Sequence, residues 1–201
     1  MTSPSSLRWG ILGPGGIARA FTSDLRTAGL DVAAVGSRRQ QTADAFAADF
    51  GIPHAHGSYE ELVADPTVDI VYIATPHPMH AANALLALEA GKHVLVEKAF
   101  AINAMEAAAV RDAAAERGLL AMEAMWTRYL PHMVRIRELV ASGALGEIRA
   151  VTADHTQLLP SDPAHRLNAL ELGGGALLDL GIYPVSFAWD ILGEPLSLIH
   201  I

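Results

Sequence analysis

The sequence predicts an α/β fold, a doubly wound parallel sheet over residues 1–124 followed by the incomplete start of an α+β domain over 125–201. Three observations predict it. Short apolar runs alternate with helical periodicity from Leu7 to Glu123, and glycines follow the helical stretches at Gly29, Gly51, Gly91 and Gly118. The turn Gly13-Pro14-Gly15-Gly16 separates the first apolar run from the first helix. Strand, helix, strand in this rhythm calls for a parallel sheet covered by helices on both faces, and right-handed crossovers leave the doubly wound order as the simplest topology.

In order, strands are expected at 7–12, 30–36, 69–74, 93–96 and 119–123, with helices at 17–28, 41–50, 58–64, 79–90 and 104–117. Ser58 and Glu61 fit a capping box at the start of the 58–64 helix. The pattern changes after Glu123, so a domain boundary is placed near Ala124. Beyond it come an amphipathic helix over 131–141, an alternating strand over 148–154, a loop, and then an apolar helix over 176–192 entered through Gly173-Gly174-Gly175. One strand and two helices are too little to close a core. The expectation is therefore that native sequence ends near Pro195, with 196–201 read as a non-native adapter translation.

Composition narrows the function. The chain has 201 residues, 51% hydrophobic and 18% charged, with formal net charge −8. Without a basic block, nucleic acid and anionic membranes are unsuitable partners. The absence of cysteine removes disulfides, thiolate metal sites and cysteine nucleophiles. No signal peptide or membrane-spanning run is read in the sequence, and the expectation is a cytoplasmic protein.

Gly13-x-Gly15-x-x-Ala18, between a strand and a helix, has the form of a dinucleotide fingerprint: Gly13 for the turn, Gly15 for approach of a diphosphate, Ala18 for close helix–strand packing. At the end of the second strand, where an NAD enzyme carries a carboxylate, this chain has Ser37-Arg38-Arg39. Guanidinium groups suit a 2′-phosphate, so NADP is favoured over NAD, with Arg38 the nearer contact. The alternative is that both arginines are solvated loop charges.

Together with Ala74-Thr75-Pro76-His77-Pro78-Met79-His80, Glu97-Lys98-Ala99-Phe100 and the segment from Gly173 to Tyr183, the fingerprint resembles the glucose–fructose oxidoreductase/inositol dehydrogenase (Gfo/Idh/MocA) family over Leu7 to about Pro195. Glu123 to Arg128 and Gly181-Ile182-Tyr183 make it most similar to the dihydrodiol dehydrogenase and NADP-linked D-xylose dehydrogenase branch. Ala99 departs from the family's usual proline, which is expected to loosen the turn presenting Lys98. The resemblance implies an NADP-dependent oxidoreductase moving a hydride between nicotinamide and a sugar, cyclic polyol or vicinal diol, homo-oligomeric when full length. Cofactor contacts would come from Gly13, Gly15, Gly16, Ile17, Ala18, Ser37, Arg38, Thr75, Pro76, His80, Glu97, Lys98, Trp126 and Arg128. His77, Trp126, His155 and Arg166 would face the substrate.

Lys98 is one of two lysines against twelve arginines, at a sheet edge where ligands bind, which suggests a need for a compact, titratable ammonium. Asp179 and Tyr183, four apart, would share a helix face. A neighbouring ammonium lowers a phenol's pKa, so Tyr183 is assigned proton transfer, with Lys98 tuning it and Asp179 holding Lys98 or a substrate hydroxyl. Read from the helix alone, Tyr183 is an aromatic packed on Phe187 or Trp189; the resemblance makes Lys98 and Tyr183 the reacting pair. No metal set is read, since His77 and His80 lack a third ligand nearby. The competing readings are a non-catalytic dinucleotide-binding regulator and an NAD-linked inositol dehydrogenase.

Overall fold

Six short strands form the sheet: β1 (Trp9–Leu12), β2 (Val32–Gly36), β3 (His54–His56), β4 (Ile70–Ile73), β5 (His93–Val96) and β6 (Ala121–Glu123). They pair in parallel in the order β3-β2-β1-β4-β5-β6, the doubly wound arrangement. The computed structural model describes residues 7–194, which divide into two compact units, one through Ala124 and one from Met125. The last six residues, with Pro195, lie outside the described residues.

Helices α1 (Gly16–Thr27) and α2 (Gln40–Phe50) cover one face of the sheet. Helices α3 (Tyr59–Ala64), α4 (His80–Glu89) and α5 (Ala104–Arg117) cover the other. Neighbouring strand residues go to opposite layers. Ile11, Val35, Tyr72 and Leu95 pack with Phe46 and Leu25, whereas Leu12, Ala34, Val71, Ile73 and Val96 pack with Leu62, Leu88 and Val110. That is why the strands read as continuous apolar runs: both faces are buried.

The second unit contains α6 (Pro131–Ala141) and α7 (Ile182–Leu192). Four local readings of the sequence need correction here and in the sheet. Residues 148–154 form no strand, because among the described residues no neighbour offers a ladder, and an unpaired strand has no partner for its amides and carbonyls. β3 was not anticipated. The expected single helix from Ala176 begins instead with a π-helical turn, Leu177–Gly181. At α3, Ser58 Oγ accepts from the Glu61 amide, but the Glu61 carboxylate accepts from the Gly57 amide, one residue earlier than a capping box requires.

By length and mean hydropathy (1.2), the helical turns from Leu170 to Leu192 also reach what a bilayer crossing needs, although they are not an uninterrupted apolar run. The segment contains Glu171, Asp179 and Asp190, and is broken by the Gly173–Gly175 turn.

Two polar anchors fix the amino ends of the strands. The Arg8 guanidinium brackets Asp69 at 2.9 Å through Nε and Nη2, joining the entries to β1 and β4. Lys92 Nζ donates to the Asp65 and Val68 carbonyls at 2.9 and 2.7 Å. Hydrogen bonding from Arg8, against the opposing effect of burial, holds the Asp69 carboxyl at about 2, below the ordinary 3.8. A carboxyl depressed on folding stabilises above its unfolded pKa and loses that contribution as pH falls through the folded value. Between pH 4 and pH 2 the urea midpoint of the natural chain therefore falls more steeply than that of Asp69→Asn; parallel acid limbs would contradict the anchor.

Candidate cofactor site and second-unit cavity

β1 ends at Leu12, and the chain turns at Gly13 with φ +89°. A Cβ there would lie 3.1 Å from Thr75 Cγ2 and 3.3 Å from the Ala74 carbonyl. Gly15 is the N-cap of α1, with no side-chain cap, so the first amides of the helix keep their hydrogen-bonding capacity for a ligand. A Cβ built on Gly15 or Gly16 meets nothing within 4 Å. The loop therefore offers donors, a helix N-terminus and open space, which fits a diphosphate. Ile17 is exposed beside it, and Ala18 is fully buried against the sheet, as its packing role requires.

At the end of β2, Ser37 is buried and Arg38 exposed. The Ser37 amide donates to the His56 carbonyl of β3 at 3.1 Å. The Arg38 guanidinium is close enough to the Tyr59 phenol to act on it: burial pushes that phenol's pKa up, and the guanidinium partly offsets the shift. The guanidinium thus lies at the carboxyl edge, near the start of α3.

The segments after β4 and β5 are tied to each other through buried polar groups. Thr75 is buried, its hydroxyl accepting from Asn83 Nδ2 at 3.1 Å. Pro76 precedes a 3-10 turn, His77–Met79, in which His77 is buried. Glu97 accepts from the Tyr72 phenol through Oε1 and from the Lys98 amide, at 3.0 Å, through Oε2. Burial pushes the Glu97 carboxyl up, and it pushes the Tyr72 phenol far above its ordinary value, with Glu97 adding to the shift. Lys98 follows at the sheet edge, half-buried, and the Lys98–Ala99 peptide is cis.

His80 differs from the sequence expectation. Its ring is fully buried, with Nδ1 2.7 Å from the Ala99 carbonyl and Nε2 2.7 Å from the Thr75 carbonyl. Both nitrogens are engaged, so His80 positions the two loops rather than presenting an edge to a ligand. The same ring holds Ala99, which is buried, within the turn presenting Lys98. Only the protonated ring could donate to both carbonyls; burial opposes that charge and sets the net direction of the pKa downward.

In the second unit, a cavity of about 490 Å³ has Trp126, Arg128, Asp154, His155, Tyr183 and Asp190 among its lining residues. Trp126 Nε1 donates to the Tyr183 hydroxyl at 3.2 Å, and His155 stacks on the Tyr183 ring at 4.8 Å between centroids. Tyr183 thus faces a cavity rather than only packing on Phe187 or Trp189. Arg128 and Arg137 share the buried Asp190 carboxylate, each at 2.9 Å.

Asp179 and Arg166 do not join this cavity lining. The π-helical turn breaks the four-residue register that would have put Asp179 on the face of Tyr183, and Asp179 is buried. Arg166 is exposed on the turns between Pro163 and Asn168. Lys98 belongs to the first unit, while Tyr183 and Asp179 belong to the second. Sequence reasoning missed Tyr72, Asn83, Asp154 and Asp190. Only Asp154, adjacent to His155, had a neighbouring signal.

Comparison with known proteins matches residues 7–125 to an oxidoreductase family with an NAD-binding Rossmann fold, GFO/IDH/MocA, and residues 133–200 to a GFO/IDH/MocA C-terminal domain. The chain is 42% identical to the D-xylose 1-dehydrogenase (NADP(+)) of Hypocrea jecorina over 94% of its own length and 54% of that protein's. It is 44% identical to mouse trans-1,2-dihydrobenzene-1,2-diol dehydrogenase, covering 94% and 57%. It thus spans about half the length of the curated relatives it matches. A 3-ketoreductase from Actinomadura kijaniata, solved with NADP and TDP-benzene, superposes with TM-score 0.85 at 35% identity, covering 94% of this chain and 58% of that one. That enzyme has also been solved as a lysine-to-alanine and as a tyrosine-to-phenylalanine mutant. A levoglucosan dehydrogenase complexed with NADH superposes with TM-score 0.87 at 27% identity, covering 94% and 55%.

Replacing His80 by leucine removes the one hydrogen bond that a neutral ring can donate to the Thr75 or Ala99 carbonyl, at a cost of about 1–3 kcal/mol for the orphaned group. Urea denaturation of His80→Leu reads this directly; an unchanged midpoint would show that the ring does not tie the loops.

Proposed function

The chain belongs to the GFO/IDH/MocA oxidoreductase family, and from that premise we propose that it serves an NADP-dependent dehydrogenase acting on a sugar, cyclic polyol or vicinal diol. The observation that carries the reading is the open, uncapped α1 N-terminus in the same unit as a guanidinium at the end of β2. The D-xylose and dihydrodiol dehydrogenases supply the substrate class by similarity.

The Gly15 amide closes the loop on the Gly13 carbonyl at 2.8 Å, which leaves the amides of Gly16 and Ile17 to hold the diphosphate, and Ser37 with Arg38 holds the 2′-phosphate. Thr75, Pro76 and Glu97 shape the carboxyl edge around the cofactor, with His80 behind them. When bound, NADP supplies the hydride acceptor for oxidation, or as NADPH the donor for reduction. Tyr183 takes the hydroxyl proton in oxidation and returns it in reduction. In the pattern of the family the chain resembles, Lys98 is the residue paired with this tyrosine, polarising the substrate oxygen and favouring the phenolate. Trp126 and His155 orient the Tyr183 phenol and ring, and Arg128, oriented by Asp190, contacts substrate hydroxyls. A carboxylate in place of Arg38 would accept ribose hydroxyls and suit NAD; a guanidinium suits phosphate.

Loss of one charge-assisted bond costs about 1.5–3 kcal/mol, so Arg38→Ala weakens NADPH binding about 10–100-fold and leaves NADH unchanged in fluorescence titration. Equal losses for both nucleotides would remove the 2′-phosphate role. Tyr183→Phe lowers kcat by about 10²–10⁴ in a panel of sugars and diols while NADPH binding stays. Undiminished turnover by Tyr183→Phe would end its assignment to proton transfer.

A further inference from the structure

The edge strand β3 carries a second cluster of titratable side chains, separate from the cofactor loops. His54 and His56 are two apart, so they project from one face of the strand. Both turn to one acceptor: His54 Nδ1 lies 2.8 Å and His56 Nε2 2.9 Å from Asp65 Oδ2. One ligand atom from each residue lies within 4.8 Å of the others. Asp65 is the C-cap of α3, and its side chain is 4% exposed. The other carboxylate oxygen is fixed by the Thr67 hydroxyl at 2.6 Å and the Thr67 amide at 2.8 Å. Burial pushes the Asp65 carboxyl up, but the bonds from Thr67, His56 and His54 outweigh it and hold the group well below the usual carboxylate range. The two bonds from Thr67 orient the carboxylate before any ligand arrives.

We propose that His54, His56 and Asp65 form a site for a divalent cation of the zinc class. Two imidazoles and one carboxylate are a zinc-type set, whereas Ca²⁺ and Mg²⁺ favour all-oxygen shells. With zinc–ligand bonds of about 2.0–2.2 Å, tetrahedral neighbours stand about 3.4 Å apart, so each ring withdraws from Asp65 by about half an ångström. Coordination moves each ring proton to the opposite nitrogen, leaving both imidazoles neutral. The partly exposed histidines, 43% and 23% by side chain, give the ion a path in, and water completes the shell. Thr67 supplies the outer bonds that orient a ligating carboxylate. The Lys92 ammonium on the Asp65 carbonyl opposes a cation, so three protein ligands here make an exchangeable site rather than a permanent one. The ion would staple β3 to the turn after α3. The His56 carbonyl that receives the Ser37 amide lies on the stapled strand.

The test uses the 201-residue chain, stripped with chelator and titrated with ZnCl₂ by calorimetry and by thermal unfolding, with CaCl₂ and MgCl₂ as separate arms. One zinc bound per chain with a saturable rise in Tm is expected, and neither calcium nor magnesium reproduces it. The double variant His54→Ala/His56→Ala abolishes the binding isotherm, and Thr67→Val weakens it about 10–100-fold. No heat and no Tm shift with zinc would overturn the proposal, as would zinc binding of equal affinity in the double variant or an equal response to calcium. The isotherm keeps the result interpretable if the histidine variants alter the metal-free Tm.

Discussion

At Gly13 the backbone leaves β1 with φ +89° and passes so close to Ala74 and Thr75 that a Cβ would stand 3.1–3.3 Å from them. This close approach is the constraint on which the carboxyl edge of the sheet depends. β1 and β4 are the central neighbours at which the strand order reverses, and the crevice of an open parallel sheet forms at that switch point. Backbone bonds hold the approach: the Gly13 amide to Gly36 at 3.1 Å and the Ala74 amide to Leu12 at 2.9 Å. A side chain at Gly13 would part the two segments and remove the space in front of α1. The local sequence is glycine-rich because two backbones need the same volume.

The segments beyond that crevice are joined by polar bonds. Asn83 holds Thr75, His80 lies between Thr75 and Ala99, Tyr72 holds Glu97, and Glu97 holds the Lys98 amide. Glu123, at the end of β6, accepts from the Phe100 amide at 2.9 Å. Buried networks of this kind are costly when half satisfied and rigid when complete. The position of Lys98 is consequently set by groups on β4 and β6 and on the segment that follows β4, not by its own turn alone. Asp190 does comparable work in the second unit, fixing two guanidinium groups at once.

The fold was legible where burial on both sheet faces forces apolar runs, as at Ile70–Ile73 and His93–Val96, and where glycine ends a helix, as at Gly51 and Gly118, both left-handed. It was not legible where three polar-flanked residues pair at an edge: His54-Ala55-His56 has no apolar run to signal a strand. Alternation misled at 148–154, because a pattern can mark a face without supplying the neighbour that bonds it. In the sites, glycine loop and Arg38 could be read because their chemistry is local. The roles of His80, Tyr72 and Asp190 depend on carbonyls and charges distant in sequence, which spacing does not encode. The π-helical turn at Leu177–Gly181 likewise left no mark in the spacing of Asp179 and Tyr183.

The chain has only two lysines, and the bonds of Lys92 to the Asp65 and Val68 carbonyls leave an unusual experimental handle. Engaged in that cap, the Lys92 amine is a poor nucleophile while the sheet is intact. Mild acylation of folded material, mapped by peptide mass, then reports on Lys98. The rate of that modification against pH is a direct titration of the residue assigned to polarise the substrate, obtained without substrate.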